Sequence, residues 1–341
     1  MSDNNTMTDE VILQVKDLKT YFYTDEGIVK AVDGITFDLH KGETVGIVGE
    51  SGSGKSVTNL SIMNLVQSPP GKIAGGEVLF HGEDLLKMDD KTIRDIRGNK
   101  ISMIFQDPMS SLNPFLRIST QMIETIQLHQ GLDKKAAKEK AIEMLSLAGI
   151  PAAEERIDCY PHQFSGGMRQ RVMIAMGLSC NPEILIADEP TSALDVTISA
   201  QILELMQDLT KRLGTAVIMI THSLGVVAGM CDTIMVMYAG RVVESGKTTD
   251  IFKEPKHPYT QGLIKSVPRL DKKNEDRLFS IQGQPPNVID LPPCCPFYPR
   301  CENAKDICKK QYPPMKDFGN GHCASCWLYA DEDVNSKGEE K

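Results

Sequence analysis

A glycine-rich octapeptide near the N-terminus constrains this chain more than any other feature. Residues 49–56 read GESGSGKS, with the β-branched run Thr44–Val48 before them and an apolar stretch at helical spacing, 57–66, after them. A buried strand, a glycine loop and a helix form the context of a phosphate-binding loop. Its N–H groups surround phosphate oxygens, and the helix dipole and a lysine add positive charge. The sequence therefore predicts an ATP site, with Ser56 also a Mg²⁺ ligand, at Gly49, Ser51, Gly52, Ser53, Gly54, Lys55, Ser56 and Val57.

Composition limits the class of protein. With 341 residues, 41% of them apolar and 24% charged, the chain resembles an ordinary globular protein of one or two domains. A net charge of −9 argues against a general nucleic-acid binder, which needs a basic surface. No apolar run approaches the roughly 20 residues of a membrane helix, and the polar N-terminus is unlike a signal peptide. We therefore expect a cytosolic chain, which can still dock on a membrane protein.

Short apolar runs alternate with helical segments, which predicts an α/β fold with a parallel core sheet. A helical subdomain is expected at about 107–180, because residues 118–147 have apolar side chains at helical spacing; a second helix is expected at 199–213. A proline-rich, loop-rich extension is expected at 263–330 and a disordered tail at 331–341. The predicted strands are 11–15, 32–39, 44–48, 75–80, 101–105, 184–187, 216–220, 234–238 and 241–244.

Two carboxylates follow the apolar run 184–187. Asp188 and Glu189 would lie at the carboxyl end of a strand, where ligands collect in open α/β sheets. Asp188 is the candidate Mg²⁺ ligand, and Glu189 is the candidate base for the attacking water. A chance Asp-Glu pair at a strand end is the alternative, and the upstream phosphate loop argues against it.

Two further strand ends carry candidate site residues. His222 follows the strand 216–220 and would contact the γ-phosphate, although single histidines at strand ends are often structural. Gln106 follows the strand 101–105 and would contact Mg²⁺ or the attacking water while opening the helical subdomain. An exposed glutamine without function is the alternative for that position.

A serine and two glycines before a helix make an anion-binding N-terminus. Ser165, Gly166 and Gly167 fit this description, and they would be presented to ATP held by a second ATPase half. Asp195 lies in the loop expected to cross the same interface. Base stacking requires an aromatic residue upstream of the phosphate loop: Phe22 is favoured by position, with Tyr21 and Tyr23 as competitors and an ordinary core role as the alternative for each.

Six of the nine cysteines fall within 33 residues of the extension. In a reducing compartment such a group indicates a metal rather than disulfides. The pair Cys323 and Cys326 has zinc-like spacing, whereas the other intervals fit no common zinc template. Four thiolates suit either zinc or an iron–sulfur cluster, and both remain open from spacing alone.

The order of these motifs resembles the ABC ATPases over about residues 11–262. The segments GESGSGKSVT, FQDPMSSLNP, ADEPTSALDVTISAQIL and HPYTQGLIKSVP are similar to the D-type ATP-binding subunits of oligopeptide and dipeptide importers, a branch that also includes nickel importers. Two positions depart from the pattern. Met168 replaces a usual glutamine, and Ser223 replaces a usual aspartate beside His222.

The resemblance implies an ATP-hydrolysing subunit that couples ATP binding and hydrolysis to permease movement. Its expected partners are a second ABC ATPase subunit, identical or distinct, two transmembrane permeases and, indirectly, an extracellular solute-binding protein. Its expected location is the cytoplasmic face of the cell membrane, as a peripheral protein. The resemblance also implies that Cys295, Cys301, Cys308 and Cys326 ligate a [4Fe–4S] cluster, which leaves Cys294 and Cys323 without a ligand role.

Two other classes of function compete with import. A soluble ABC ATPase acting on DNA or ribosomes would usually carry a coiled-coil insertion or two cassettes in one chain, and neither pattern is present. A metal-sensing regulator would use the extension as its working part and ATP only for assembly. The transported solute cannot be read from this chain, because solute would not touch this subunit.

Overall fold

The computed structural model describes residues 10–107, 111–192, 194–267 and 280–329, so the expected disordered tail at 331–341 lies outside the described residues. The chain divides into two compact units. The first unit contains the residues up to Gln14, Asp38–Thr44 and Leu79–Ile220, and the second contains Val15–Phe37, Val45–Val78 and the residues from Thr221 onward.

Twelve strands occur in the described residues. In chain order they are β1 (Val11–Thr24), β2 (Gly27–His40), β3 (Thr44–Val48), β4 (Gly71–Phe80), β5 (Glu83–Asp84), β6 (Ile101–Ile104), β7 (Ile184–Asp188), β8 (Ala216–Thr221), β9 (Thr233–Tyr238), β10 (Arg241–Lys247), β11 (Met315–Asp317) and β12 (Cys323–Ser325).

Ten α-helices occur in the same residues. They are α1 (Lys55–Ile62), α2 (Asp90–Ile96), α3 (Ile118–Gln130), α4 (Lys134–Leu147), α5 (Ala153–Arg156), α6 (Gly166–Leu178), α7 (Val196–Leu213), α8 (Leu224–Met230), α9 (Thr248–Lys253) and α10 (Pro258–Ser266). None of the described helices combines the length and the apolar character that a membrane crossing requires.

In the first unit β6, β7 and β8 are parallel neighbours, with Ile104 opposite Ala187 and Ala187 opposite Met219. Every residue of β7 and β8 is buried, which explains their continuous apolar runs. The helix α4 packs against both α3 and α6, and buried apolar side chains of all three helices contribute to the core of this unit. Parallel pairing brings the carboxyl ends of β6 and β7 to one edge of the sheet.

In the second unit β3 pairs in parallel with β9, and β9 turns at Ala239 and Gly240 into antiparallel β10. β10 also pairs with β12, and β12 pairs with β11. The extension therefore adds two strands to this sheet, whereas its prolines predicted no regular element. The edge of β10 offers unpaired N–H and C=O groups to which a strand of the extension can bond. No local sequence pattern in the extension predicts this pairing. A four-stranded sheet has the order β2-β1-β4-β5.

Several boundaries differ from the sequence prediction. The predicted helical run 118–147 is two helices, because α3 ends at Gly131 in the left-handed conformation with φ +64°. β1 continues to Thr24, far beyond the predicted end at residue 15. The helix after the phosphate loop begins at Lys55 and ends at Ile62, so it starts earlier and is shorter than the apolar stretch 57–66.

Candidate nucleotide site and cysteine-rich extension

The phosphate loop requires glycine at two positions for steric reasons. A Cβ atom at Gly54 would collide with the carbonyl oxygen of Ala31, and one at Gly49 would collide with that of Met237. Gly54 also has φ +102°, a conformation that L side chains rarely adopt. Because Gly54 precedes α1 and has no side chain to cap it, the first N–H groups of the helix stay open to an anion.

Lys55 is buried, and its own loop holds it in place. Its Nζ donates hydrogen bonds to the carbonyl oxygens of Gly49 and Glu50, both at 2.9 Å. The Ser53 hydroxyl is buried and has no hydrogen-bond partner among the described residues. Ser56 and Val57 follow, half-buried, in the first turn of α1. The loop thus combines a buried ammonium group with an unsatisfied hydroxyl, a combination suited to a phosphate ligand.

The three competing aromatic residues have different surroundings along β1. The Tyr21 hydroxyl donates to Asp33 Oδ1 at 2.7 Å, and burial, followed by this bond, raises the pKa of Tyr21 to about 12. Phe22 is half-buried and lies against Gly71 at the start of β4. Tyr23 exposes about half of its surface. Tyr21 is therefore committed to a polar contact, whereas Phe22 and Tyr23 both retain exposed ring surface.

The end of β7 brings two predicted residues together. Asp188 is buried, and Glu189 follows it with φ +44°, an uncommon conformation for a residue other than glycine. The Glu189 N–H donates to the Ile220 carbonyl oxygen at 3.0 Å. Gln106 Nε2 donates to Glu189 Oε2 at 3.0 Å. Such a strained backbone persists where surrounding contacts hold it, and it is typical of functional sites.

His222 belongs to the second unit and is exposed at the end of β8. Its turn is held by the Ser223 N–H, which donates to the Thr221 hydroxyl at 3.0 Å. Ser223 at this position therefore leaves a well-formed turn that presents the histidine side chain to solvent.

The serine and two glycines form the start of α6. The Ser165 hydroxyl accepts the Met168 N–H at 3.4 Å, and Ser165 and Gly166 are exposed. A Cβ atom at Gly167 would lie 2.8 Å from Ile198 Cγ2, so this glycine allows α6 to approach α7.

The approach of α6 brings the start of α7 beside these residues, and Asp195 caps α7 by accepting the Ile198 N–H at 2.9 Å. Met168 cannot supply the hydrogen bonds of a glutamine amide; its sulfur accepts from Arg156 Nη1 at 3.8 Å.

A buried carboxylate anchors the C-terminal half of the chain. Glu244 of β10 is fully buried and accepts the N–H groups of Lys256 and His257 at 2.7 and 2.8 Å. It also accepts from His322 Nε2 at 2.8 Å. These bonds tie the start of α10 and the entry to β12 to one strand. Sequence reasoning missed Glu244, although a carboxylate directly after the apolar pair Val242 and Val243 in a predicted strand was an available signal.

The nine cysteines all lie in the described residues and are free thiols. Burial is the main cause that raises the pKa of Cys295 to about 12, and the nearby thiols of Cys308, Cys326 and Cys301 contribute to the same rise. Burial likewise raises the pKa of Cys326 to about 11, with Cys301 and Cys308 again contributing. The pKa values of Cys294 and Cys323 are also raised by burial, but no other cysteine contributes to either shift. Cys295 and Cys326 therefore lie near Cys301 and Cys308, and the role of these four residues as metal ligands stays a prediction.

The four neighbouring sulfurs also share a pattern of backbone N–H donors. The Lys305 N–H donates to Cys308 Sγ at 3.4 Å. The backbone N–H groups of Phe297, Asn303 and Leu328 partly offset the rise in the pKa of Cys295, Cys301 and Cys326, respectively. As they stand, the described residues contain no group of three or more His, Cys, Asp or Glu side chains placed to hold a metal ion.

Comparison with known protein families gives two matches. Residues 32–192 match the ABC transporter family, and residues 243–308 match the oligopeptide/dipeptide transporter C-terminal region. Two relatives are similar to this chain over nearly its whole length. The dipeptide transport ATP-binding protein DppD of Bacillus subtilis is 52% identical, over 94% of this chain and 95% of that protein. The oligopeptide transport ATP-binding protein OppD of Salmonella typhimurium is 50% identical over the same shares.

Solved structures share the core of the fold. The ATP-binding cassette MJ0796, solved as a dimer in a post-hydrolysis state bound to ADP and Pi, superposes with a TM-score of 0.62 at 29% identity. The superposition covers 69% of this chain and 98% of the MJ0796 chain. CbiO1 of Clostridium perfringens, part of an ABC transporter complex, gives a TM-score of 0.61 at 29% identity, over 72% of this chain and 92% of that one.

Proposed function

The chain belongs to the ABC transporter family of oligopeptide and dipeptide transport ATP-binding proteins, and from this premise we propose that it powers a membrane importer for di- and oligopeptides. The observation that carries the proposal is the identity of about one half with peptide-transport relatives over nearly the entire chain, including the C-terminal region. The predicted ABC ATPase fold is confirmed by the solved neighbours. The enzyme hydrolyses ATP and transmits the resulting changes to permeases.

The phosphate loop binds the triphosphate of ATP in this proposal. Lys55 exchanges the two loop carbonyls for phosphate oxygens, and the Ser53 hydroxyl gains the partner that it lacks. Ser56, Gln106 and Asp188 would hold Mg²⁺, since their oxygens are hard ligands of the kind that Mg²⁺ prefers. The bound ion would neutralise charge that develops on the phosphates. Phe22 stacks on adenine, with Tyr23 as the competing aromatic residue.

Hydrolysis relies on Glu189 as the base for the attacking water. The hydrogen bond from Gln106 orients the Glu189 carboxylate, and the positive φ fixes its backbone. A fixed carboxylate loses little freedom in reaching the reactive geometry. His222, presented at the end of β8, contacts the γ-phosphate in this proposal.

A second ATPase subunit, identical or distinct, completes each nucleotide site. Ser165, Gly166 and Gly167 are exposed or half-exposed at the start of α6, and Val196 beside Asp195 is 88% exposed. A bare apolar side chain and an open anion-binding helix start together suit an interface that forms around nucleotide. The dimeric state of the solved cassette that is similar to this chain supports this arrangement.

Two permeases and, indirectly, an extracellular solute-binding protein are the other partners. The helical segment of the first unit exposes Phe115 by 86% and Leu128 by 76%. In this proposal a permease covers these two side chains. The chain would then be a peripheral protein at the cytoplasmic face of the cell membrane.

Co-purification tests the assignment. A tagged chain extracted from membranes with mild detergent should recover two permeases and a second ATP-binding subunit, and its ATPase activity should rise when a peptide-loaded solute-binding protein is added. Recovery of nucleic acid without permeases would contradict the proposal.

The extension, we further propose, holds a [4Fe–4S] cluster on Cys295, Cys301, Cys308 and Cys326. The support is the donor chemistry: four neighbouring thiols, each with a backbone N–H donor to its sulfur. Such donors stabilise thiolate and tune cluster properties. A cluster would supply Fe–S bonds that staple an extension with little apolar core and shape a contact surface near the permease. Zinc on the same thiolates is the alternative occupant.

Anaerobic purification tests the cluster. The protein should be brown and contain iron and sulfide. Exchanging any one of the four cysteines for serine should bleach it, whereas Cys294→Ser and Cys323→Ser should leave the colour. One zinc per chain without iron or sulfide would contradict the cluster.

A further inference from the structure

One arginine of the extension reaches into the phosphate loop. Arg300 Nη1 lies 2.6 Å from Glu50 Oε2, and its Nη2 lies 2.9 Å from Glu50 Oε1. This is a two-pronged ion pair between residues 250 positions apart. The Arg300 side chain is 5% exposed and that of Glu50 is 27% exposed. An arginine fork matched to a carboxylate in this way fixes direction as well as distance.

The arginine is itself held in place from several directions. Its Nε donates to the Gln282 carbonyl oxygen at 3.0 Å, and Nη2 reaches that of Ile281 at 3.4 Å. Its Nη1 also donates to the Tyr238 hydroxyl at 3.3 Å. A guanidinium bound to backbone and strand has little freedom to follow Glu50. Glu50 therefore follows Arg300.

A second tie holds the backbone of the same residue. The Glu50 N–H donates to the Tyr259 hydroxyl at 2.9 Å. Tyr259 is fully buried on α10, where its ring lies 4.6 Å from that of Tyr238 and 5.4 Å from that of Phe297. Both the side chain and the amide of Glu50 are thus held by residues of the C-terminal half.

The contact continues to the phosphate-binding lysine. The Glu50 carbonyl oxygen accepts from Lys55 Nζ at 2.9 Å, so Arg300 is two contacts away from the ammonium group. Glu50 also places a negative charge inside a loop whose ligand is a polyanion, and an unneutralised carboxylate there would repel ATP over several ångströms.

We propose that Arg300 is a positioning residue for the phosphate loop: by pairing with Glu50 it neutralises that carboxylate and orients the loop, so the cysteine-rich extension sets the ATP affinity of its own chain. The inference rests on the proposed role of the loop. It does not depend on the proposed metal centre of the extension.

Equilibrium binding of the non-hydrolysable analogue AMP-PNP to the full-length chain tests the proposal. Arg300→Gln should raise the Kd about tenfold, because the exposed charge of Glu50 then opposes the phosphates. Glu50→Gln removes that charge, so the double variant Glu50→Gln/Arg300→Gln should bind within about twofold of Glu50→Gln alone. A purely structural role of Arg300 would not give this rescue. Lys316→Gln, an exposed extension lysine bonded to the Tyr329 carbonyl, is the matched control and should bind as wild type.

Unchanged affinity in Arg300→Gln, or a double variant as weak as Arg300→Gln, would overturn the inference. If Arg300→Gln fails to fold, Arg300→Lys provides the test, because lysine keeps the positive charge but cannot make the two-pronged contact with Glu50. We expect a Kd about threefold above that of wild type. A wild-type Kd would overturn the inference. Lys55→Ala distinguishes failure of the proposed phosphate site from failure of the proposed role of Arg300. If Lys55→Ala binds AMP-PNP with wild-type affinity, the proposed phosphate site is wrong. If Lys55→Ala loses affinity and Arg300→Gln does not, only the proposed role of Arg300 is wrong.

Discussion

At the residue scale, local contacts fix the orientation of the Glu189 side chain and the protonation state of the His257 ring. Glu189 holds a positive φ and accepts from Gln106, so its carboxylate is fixed before ATP arrives. His257 is buried, and its Nδ1 accepts the Tyr259 N–H at 3.1 Å. Burial lowers the pKa of His257 from 6.5 to about 3, so this ring stays neutral in the folded chain.

Exchange of Glu189 for glutamine should separate binding from chemistry. Glu189→Gln keeps the shape and the contact with Gln106 but cannot accept a proton, so ATP binding should persist while turnover falls by about 10²-fold or more. Nucleotide binding and phosphate release, measured on the same preparation, check this. Turnover near wild type would rule out Glu189 as the base.

The buried histidine should make stability depend on pH. The unfolded chain takes up a proton on His257 below pH 6.5, and the folded chain does not until about pH 3. The free energy of unfolding should therefore fall as the pH drops from 6.5 toward 5, by up to roughly 1.4 kcal/mol per pH unit from this group. Urea unfolding followed by the fluorescence of Trp327, the only tryptophan, measures it.

His257→Asn, which retains an acceptor for the Tyr259 N–H, should lose this part of the slope. His162→Asn, at an exposed histidine, should keep it. Equal slopes in wild type and His257→Asn would show that the His257 ring does not control this dependence.

At the element scale, β10 is the strand on which the C-terminal half assembles. Its edge accepts β12, and Glu244 binds the start of α10 and His322. The apolar strands and the phosphate loop could be predicted from sequence because their signals are local. The pairs Glu244–His322 and Glu50–Arg300 could not, since each joins residues far apart in the chain and neither leaves a periodic pattern.

Loss of the Glu244 charge should loosen that half of the chain. Glu244→Gln turns an acceptor of three hydrogen bonds into a group with one acceptor oxygen and an amide facing N–H donors. It should reduce the free energy of unfolding by about 3 kcal/mol. Trp327 fluorescence during urea unfolding reports the change. Glu254→Gln, at the exposed partner of Lys256, is the control and should not move the midpoint; an equal loss in both variants would refute the anchoring role.

At the scale of the whole molecule, the proposed function has a second ATP-binding subunit complete the nucleotide site of this chain. The start of α6 and the residues around Asp195 are open, and apolar side chains such as Val196 remain exposed. Family membership and the dimeric state of a similar cassette give these surfaces a consistent explanation.

Turnover per chain should consequently depend on concentration. The isolated chain should be a weak ATPase whose specific activity rises with its own concentration or on addition of the second ATP-binding subunit. Turnover that stays constant across a wide dilution series would contradict a shared site.

ATP-driven uptake of a labelled dipeptide tests the central claim most directly. Proteoliposomes with both permeases, the second ATP-binding subunit, the solute-binding protein and this chain should accumulate dipeptide when ATP faces this chain, and Glu189→Gln should reduce uptake in parallel with ATP hydrolysis. Accumulation of Ni²⁺ instead of peptide, or peptide uptake unaffected by Glu189→Gln, would contradict the account.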